Sequence, residues 1–338
     1  MRQFRTGKIP SDILIRNVFR YKGRRDPSVI LGSSIGEDAA LISLGDRVLV
    51  LKTDPVTGTA SKIGWLAVHI NANDVACRGA TPHWFLCDLL LPEESNVRLV
   101  DTIMRQVDNA ARHLKVAVVG GHTEVTPGLG RPIAVGCMVG LVEKNKFVMS
   151  SGARPNHDII MTKSVGIEGT ALLAMDFGRE LRLDSRTLAR ARSMWHSISI
   201  VRDAMVAVET GGVRAMHDPT EGGLLQGLWE IAEASNVGFM IDQSRIAVRE
   251  ETSRICNQLG VDPLRLMSSG CLLIAADKGK SNLIISRLKR RGVQAEVIGN
   301  FTSPKKGRKL IQSTGSIVEI GPSERDELYR VIESYGLD

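Results

Sequence analysis

Short aliphatic segments alternate with longer amphipathic segments along this chain of 338 residues, and that alternation restricts its fold more than any other feature. Runs rich in valine, leucine and isoleucine predict strands, which in the first half lie at Arg47–Lys52, Trp84–Leu91, Val116–Val119 and Ile133–Val142. Apolar residues at helical spacing predict helices between these strands, at Lys62–Arg78 and Asn96–Lys115. This order predicts an α/β fold.

A polar link that contains proline and glycine, residues 150–156, interrupts the pattern before it resumes. Strands are predicted after it at Asp158–Lys163, Phe239–Asp242, Cys271–Ala276 and Val293–Ile298. Helices are predicted at Ser185–Thr210, Gly223–Ser235, Ser281–Arg291 and Ser323–Tyr335. Because a chain of this length exceeds what one core usually serves, we expect two domains, 1–150 and 151–338.

Composition excludes several classes of protein. The longest apolar stretches, such as Ile133–Val142, fall short of the ~20 residues that a membrane-spanning helix needs. The basic start of the chain is not followed by an apolar signal core, so we expect a cytoplasmic protein without a membrane partner. The five cysteines are odd in number and form no Cys-x-x-Cys pair, which argues against a zinc ribbon or a disulfide framework.

The net charge of +7 raises the question of nucleic acid binding. Aromatic residues make up only 4% of the chain, too few for the stacking platforms of single-strand binders. No helix-turn-helix, zinc-finger or RNA-binding signature is present. We therefore expect no nucleic acid partner and interpret the basic residues as solvated faces that modestly attract anionic substrates.

Common nucleotide-binding signatures are absent as well. Gly279-Lys280-Ser281 resembles the end of a P-loop, but Ile274 occupies the position of the required earlier glycine. The Gly-x-Gly at Gly128–Gly130 is followed by Ile133, which fails the dinucleotide fingerprint.

Acidic residues instead recur beside glycine at the predicted ends of strands and helices. Asp38 lies in a Gly-Glu-Asp turn, Asp54 follows a strand, and the segment Gly120–Glu124 follows another strand. Each of these motifs alone is as well explained by an ordinary turn or cap. Asp74 is harder to explain that way, because it lies in an apolar helix where an unpaired acid is costly to bury. Asn71, Asp74 and Arg78 share one face of that helix.

Carboxylates from several segments suit Mg²⁺, which prefers a few hard oxygen ligands together with phosphates and water. The same arrangement is needed to offset the negative charges of ATP as its terminal phosphoryl group leaves.

One motif of the second half indicates anion binding. The segment His217–Gly223 places two glycines at the start of an apolar helix, where backbone amides can approach a phosphate closely. An ordinary Asp or Thr helix cap with glycine turn chemistry explains the same residues equally well.

Taken in order, the motifs at 36–40, 53–54, 73–82, 120–123 and 218–223 resemble one superfamily. Its members are aminoimidazole ribonucleotide (AIR) synthetase, selenophosphate synthetase, thiamine-monophosphate kinase and the hydrogenase maturation protein HypE. The resemblance implies a PurM-like two-domain fold of mixed α/β (α+β) class. The sheet of its first domain pairs across a homodimer into a β-barrel, and a larger α/β domain follows.

The resemblance also implies ATP and Mg²⁺ as cofactors, with the metal held by Asp38, Asp54 and Asp74. Nucleotide, phosphate or substrate would be bound by Asp38, Asp54, Asn73, Asp74, Gly120, Gly121, Thr123, Asp218, Thr220, Gly222 and Gly223. The implied catalytic residues are Asp54, His122 and Glu124. For His122 a purely structural role, held by hydrogen bonds, is an equal alternative. Glu221 is a further candidate. Lys8, just before the first helix, is placed to reach a phosphate, and a solvated tail lysine is the favoured alternative for it.

Within the superfamily, residues 165–170 and 217–233 look most similar to HypE and to the AIR synthetase-related proteins around it. HypE works through a cysteine at its extreme C-terminus, whereas this sequence ends Ser334-Tyr335-Gly336-Leu337-Asp338. We therefore expect an enzyme that uses ATP to phosphorylate or activate an oxygen of a small-molecule or protein-borne acceptor. The alternatives are a thiamine-monophosphate-type kinase and a non-catalytic nucleotide-binding partner in metallocentre assembly.

Overall fold

The computed structural model describes residues 6–57, 61–323 and 325–335, which form two compact units. The six-stranded unit comprises residues 27–32 and 38–147. The seven-stranded unit comprises the described parts of residues 1–26, 33–37 and 148–337, so the first described helix belongs to it. The C-terminal residues 336–338, compared above with HypE, lie outside the described residues.

The six-stranded unit is one twisted sheet with two helices. Its elements are β1 (Val29–Leu31), β2 (Ala40–Leu44), β3 (Arg47–Val56), α2 (Ile63–Cys77), β4 (Thr81–Leu91), α3 (Val97–Leu114), β5 (Ala117–Val125) and β6 (Ile133–Glu143). The strand order is β1-β2-β3-β6-β4-β5, and every neighbouring pair is antiparallel except β4 with the edge strand β5.

Helix α2 is buried on nearly all sides, and its thirteen buried residues include the polar Asn71, Asn73 and Asp74. Two glycines of β6 let it lie directly on the sheet. A Cβ at Gly136 would fall 2.4 Å from Asn71 Nδ2, and one at Gly140 would fall 2.3 Å from a methyl group of Val75. Real Cβ atoms never come so close to another atom. Glycine at these two positions therefore allows α2 to pack this closely on the strands.

Helix α3 follows the pattern expected of an amphipathic surface helix. Asn96 caps it by accepting a hydrogen bond from the backbone N–H of Leu99 at 3.1 Å. Lys115 ends it in the left-handed conformation, with φ of 59°. The buried side of α3 packs against α2.

The seven-stranded unit contains a mostly antiparallel sheet in the order β13-β12-β9-β11-β7-β10-β8. Its helices are α1 (Ser11–Asn17), α4 (Ile167–Asp176), α5 (Ser185–Ser193), α6 (Val201–Thr210), α7 (Gly223–Ser235), α8 (Glu250–Leu259), α9 (Ser281–Arg290) and α10 (Glu327–Tyr335). Its strands are β7 (Asp158–Thr162), β8 (Val213–His217), β9 (Gly238–Asp242), β10 (Leu273–Ala276), β11 (Ala295–Thr302), β12 (Arg308–Ile311) and β13 (Ile317–Glu319).

One apolar core holds this unit together, formed by the inner strands and by α7. All four residues of β10 are buried, and Phe239 and Phe301 are almost completely buried between neighbouring strands. Nine of the thirteen residues of α7 are buried as well. The loop that precedes α7 is therefore anchored to the centre of the unit.

The single helix predicted at Ser185–Thr210 is wrong. The structure has two helices there, α5 and α6, separated by a short 3₁₀ turn at Met194–Ser197. The ammonium of Lys163 donates hydrogen bonds to the carbonyls of Ser197 and Ser199, at 3.1 and 2.7 Å. Those carbonyls are thereby held by a side chain more than thirty residues away in the sequence, which a local pattern cannot reveal.

Two strand ends also differ from the prediction. The strand predicted at Arg47–Lys52 continues to Val56, so Asp54 lies within β3 rather than after it. The segment Gly120–Glu124, predicted to follow a strand that ends at Val119, belongs to β5, because the whole segment pairs with β4. Among the described residues, no helix is both long enough and apolar enough to cross a membrane.

Candidate functional site

In the six-stranded unit, Lys52 lies at the centre of an acidic cluster. Its Nζ is 2.8 Å from an oxygen of Asp74 and 3.5 Å from an oxygen of Asp54. Lys52 and Asp54 are two positions apart on β3, so their side chains leave the same face of the strand, and Asp74 comes from α2. The pleat of one strand and the packing of one helix thus bring these groups together.

Asp38 joins this cluster through Arg78. A guanidinium nitrogen of Arg78 lies 3.0 Å from Asp38, and the Arg78 side chain is completely buried. Asp38 also raises the pKa of both Asp74 and Lys52 through its charge. The three aspartates named from the sequence are therefore close enough to interact electrostatically.

Burial and charge shift the protonation of this cluster. Burial, together with the negative charges of Asp38 and Asp54, raises the pKa of Asp74 to about 7, although Lys52 acts in the opposite direction. Burial alone would lower the pKa of Lys52, but the neighbouring carboxylates outweigh it and raise that pKa far above its ordinary value. Lys52 accordingly stays charged and neutralises part of the acidic cluster.

The chemistry of the donor set fits Mg²⁺, because it consists of carboxylate oxygens, the ligands that hard divalent cations prefer. Asp54 keeps 37% of its side chain exposed, which leaves an approach from solvent. Across the described ranges, however, no three His, Cys, Asp or Glu side chains already converge as a metal site. The Lys52 ammonium lies between the Asp54 and Asp74 carboxylates instead.

The amide of Asn71 ties α2 to β3 beside the cluster. Its Nδ2 donates to the backbone carbonyls of Asp54, at 3.2 Å, and of Ala67, at 2.8 Å. Asn73, named from the sequence, lies two residues further along the same helix and is completely buried.

The residues of the Gly120–Glu124 segment form a second group, on the exposed edge strand β5. The backbone N–H of His122 donates to Asp88 at 2.8 Å, and its ring Nε2 lies 3.2 Å from Glu124. Hydrogen bonds from Thr126 and then from His122 lower the pKa of Glu124. His122 and Glu124 therefore form a small network of their own.

Gly121 has a structural reason to be glycine. Its φ is +143°, and a Cβ there would fall 1.9 Å from the carbonyl oxygen of Cys87 in β4. The absence of a side chain is thus required for β5 to pair with β4 at this irregular register.

The strand register shows how far these two groups are apart. Asp54 pairs with Gly136, Gly136 pairs with Cys87, and Cys87 pairs with Gly121. Three strand spacings separate Asp54 from Gly121, which is about 14 Å along one row of the sheet. Asp54 and Gly121 therefore share a row, but β5 lies three strand spacings away from Asp54.

In the seven-stranded unit, the segment Asp218–Gly223 forms the turn between β8 and α7, and Asp218 is almost completely buried. The amides named there as phosphate donors already have partners. The N–H of Gly222 donates to Asp326 at 2.6 Å, and that of Gly223 donates to the carbonyl of Thr220 at 3.1 Å. Phosphate binding by these amides stays a prediction, and it requires Asp326 to release Gly222.

In the same region, Glu230 of α7 contacts three other polar side chains. One of its oxygens accepts from the Lys8 ammonium at 2.8 Å and from Gln226 at 3.1 Å, and the other lies 2.9 Å from His217 Nε2. Burial would raise the pKa of Glu230, but Lys8 and His217 outweigh it and lower that pKa far below its usual range. Lys8 keeps 54% of its side chain exposed.

A cavity of about 640 Å³ lies beside Glu230, between residues 6–12, one side of the first half of α7 with the turn before it, and Pro322, Ser323, Arg325 and Asp326. Its charged wall residues have partners within the unit. The two oxygens of Glu221 accept from the Lys8 backbone and the Tyr329 hydroxyl, at 2.8 and 3.0 Å. Burial raises the pKa of Asp326 to about 7. The volume is sufficient for a metabolite-sized ligand.

Sequence reasoning missed several of these residues. Lys52 stands two positions before Asp54, so the period of a strand already predicts a shared face. Glu230 is an acid in an apolar helix, the same signal that singled out Asp74. Asp326 carries no local signal, because its partner Gly222 is distant in sequence.

The sequence matches the family described as AIR synthase related protein in both domains. Residues 36–142 match its N-terminal domain, and residues 154–311 match its C-terminal domain. Together these two spans cover more than three quarters of the chain.

Curated relatives support the same assignment. The carbamoyl dehydratase HypE of Cupriavidus necator is 30% identical over 292 residues, which are 82% of this chain and 79% of the relative. A hydrogenase expression/formation protein of Methanocaldococcus jannaschii is 29% identical over 280 residues, which are 80% of this chain and 81% of the relative.

A solved structure supports the fold. The crystal structure of hydrogenase maturation protein HypE in complex with ATP superposes with a TM-score of 0.73 at 23% identity. The superposition covers 96% of this chain and 98% of the other. The two-domain fold that the sequence motifs implied is confirmed.

Proposed function

This chain belongs to the AIR synthase related family, and from that premise we propose that it is a Mg-ATP-dependent enzyme that activates an oxygen of an acceptor. The observation that carries the proposal is the convergence of Asp38, Asp54 and Asp74 on Lys52 and Arg78. Relatives of similar length are named carbamoyl dehydratases, which favours an amide-like oxygen as the group that is activated.

In this proposal Asp38, Asp54 and Asp74 hold Mg²⁺, and Lys52 and Arg78 contribute positive charge toward phosphate oxygens. When bound, Mg²⁺ supplies the charge that offsets the terminal phosphates during transfer. Asp54 provides the most accessible carboxylate, whereas Asp74 and Arg78 are buried and hold the arrangement in place. Fixed charges of this kind stabilise a transition state without reorganising.

We propose that the cavity beside Lys8 holds the acceptor. Among the described residues that line the cavity, Lys8 is the accessible cation, because Arg325, the other basic one, is only 18% exposed and bonds Glu333. Glu230 and His217 position the Lys8 ammonium. A polar acceptor oxygen would accept a hydrogen bond from it.

We also propose that the enzyme is a homodimer that pairs through β5. This strand lies at the edge of its sheet, and all nine of its residues are exposed. Val119 and Val125 expose more than half of their surface. An exposed apolar edge of this length is a template for pairing with a second copy.

The test measures ADP and inorganic phosphate release with Mg-ATP and candidate acceptors. Asp54→Asn is expected to lower acceptor-stimulated turnover by about 10- to 100-fold, the usual effect of disturbing a metal site. Asp101→Asn is the control, because Asp101 pairs with Arg105 on the exposed side of α3. Equal turnover in the two variants would contradict the proposed site.

The ratio of products distinguishes the reaction types. Activation of an amide-like oxygen releases inorganic phosphate in equal amount to ADP. Transfer in the manner of a thiamine-monophosphate kinase leaves the phosphate on the acceptor. Nucleotide binding without acceptor-stimulated hydrolysis would instead indicate a non-catalytic partner.

A further inference from the structure

The excess positive charge of this protein is concentrated near its start. Residues 1–26 contain eight Lys and Arg residues but only two acids, and residues 16–25 contain five basic residues and no acid. We name this stretch, Arg16–Arg25, the basic segment. It begins within α1 and continues along the surface of the seven-stranded unit.

The basic segment is exposed and largely without internal charge partners. Residues 20–25 are all exposed. Arg16 pairs with Asp12, but Lys22, Arg24 and Arg25 make no ion pair with any described residue. Solvated single charges are common, whereas three adjacent unpaired charges produce a local field that attracts an acidic surface.

Apolar side chains are exposed within and beside the same charges. Ile15, Val18 and Tyr21 are 53%, 50% and 70% exposed. The guanidinium of Arg20 lies over the Tyr21 ring, 4.5 Å from its centroid. Arginine and tyrosine are the residues that protein interfaces favour, and lysine, of which this segment holds one, is disfavoured there.

Helix α1 is only partly covered by the rest of its unit. It has seven residues, none of them buried. Helices this short are not stable on their own in water and usually depend on packing. A partner that covers Ile15 and Val18 would provide that packing.

From these observations we propose that the basic segment is a docking surface for an acidic segment of another protein. Exposed aliphatic side chains among the arginines favour a protein over a nucleic acid, whose interfaces are mainly polar. A helix of seven residues without tryptophan is a poor membrane anchor. The proposal goes beyond the nucleotide-dependent activity and does not depend on it.

The experiment places a photo-crosslinking residue at Asn17, an exposed position at the end of α1, as Asn17→p-benzoylphenylalanine in the full chain. After illumination in the producing cells, the attached peptides are sequenced by mass spectrometry. We expect protein segments with an excess of Asp and Glu. The triple variant Lys22→Glu/Arg24→Glu/Arg25→Glu should lower their yield by about tenfold, since several ion pairs become repulsive.

The matched control reverses three charges elsewhere. Lys289, Arg290 and Arg291 are exposed at the end of α9, and Lys289→Glu/Arg290→Glu/Arg291→Glu should leave the crosslinks unchanged. Asn282→p-benzoylphenylalanine, which places the photo-crosslinking residue on α9, measures the yield of crosslinks from random contacts. The recovered segment is then synthesised, and its affinity for the purified protein should fall steeply with salt.

Any of four results would overturn the proposal. These are crosslinks to nucleic acid or lipid, crosslinked segments without an acidic excess, a yield no higher than at Asn282, and equal loss in both triple variants. Each can be told apart from failure of the nucleotide site, because ATP turnover is measured on the same proteins.

Discussion

Lys52 is the residue on which the stability of the acidic cluster depends. Its side chain is 20% exposed and lies between Asp54 and Asp74. Lys52→Met would leave two neighbouring carboxylates without their counter-charge, and we expect the free energy of unfolding to fall by about 3 kcal/mol. Asp54→Asn, at a half-buried position, should cost less than about 1 kcal/mol. Urea unfolding at pH 8 measures both.

The contrast between these variants separates structure from chemistry. Both are expected to lose turnover, but only Lys52→Met is expected to lose much stability. If Asp54→Asn unfolds as readily as Lys52→Met, the carboxylate is part of the folded framework, and its proposed role in binding loses support.

Asp326 makes stability depend on pH. Because burial raises its pKa to about 7, the folded state binds a proton between pH 4 and 7 that the unfolded chain has released. Stability therefore falls as the pH rises through this range. Relative to Asp326→Asn, the wild type should lose about 2 kcal/mol of unfolding free energy between pH 5 and pH 8.

Thermal or urea unfolding of the two proteins at both pH values measures this difference. Asp277→Asn serves as the control, because hydrogen bonding to Arg214 lowers the pKa of Asp277 and no proton is released in that range. If the difference in unfolding free energy between the wild type and Asp326→Asn is the same at both pH values, Asp326 does not take up the proton on which this prediction depends.

At the residue scale, the sequence predicted which aspartates lie close together but not which residues they contact. The strand period and the helix period place Asp54 and Asp74 on faces that can converge. Arg78 was placed on the face of Asp74, yet its pairing with Asp38 depends on a loop outside α2. The bond from Asp326 to Gly222 joins segments about a hundred residues apart, so no local pattern contains it.

At the scale of elements, the packing of α2 on β6 determines whether the cluster forms. Gly136→Ala would place a methyl group 2.4 Å from Asn71 Nδ2 and 2.7 Å from the Phe85 ring. We expect α2 to be displaced from the sheet at a cost of about 2 kcal/mol, with a loss of turnover from the separation of Asp54 and Asp74.

Gly130→Ala is the matched control for this change. No atom lies within 4 Å of a Cβ at Gly130, so that variant should keep the stability and turnover of the wild type. If Gly136→Ala also behaves like the wild type, close packing of α2 is not what holds the aspartates together.

Most elements were predictable because their apolar residues follow a simple period. Apart from the ends of β3 and β5, the predicted strands and helices between 47 and 142 correspond to β3–β6, α2 and α3 within about three residues. The predicted ends of elements are wrong where a residue or strand distant in sequence contacts the segment. The Lys163 ammonium donates hydrogen bonds to carbonyls between α5 and α6. Pairing with β4 extends β5 through Gly120 and Gly121.

For the whole molecule, the exposed edge strand leads to a prediction about assembly. Val119, the third residue of β5, is 55% exposed. Val119→Arg would place a charge in the proposed strand pairing, and we expect the dimer affinity to fall by at least about tenfold. Sedimentation velocity across a range of concentrations measures the change. Val97→Arg, at an 83% exposed position on α3, is the control.

A monomer in the wild type, or a dimer that Val119→Arg leaves intact, would contradict pairing through β5. Neither outcome would affect the fold, because each unit has its own sheet and apolar core.

The most direct test of the account is a calorimetric titration of the purified protein with a non-hydrolysable ATP analogue in the presence of Mg²⁺. We expect binding by the wild type and by Asp101→Asn, and binding weakened by about 10- to 100-fold in Asp54→Asn. Undiminished affinity in Asp54→Asn, or no binding by the wild type, would contradict the central claim that these aspartates hold a magnesium nucleotide.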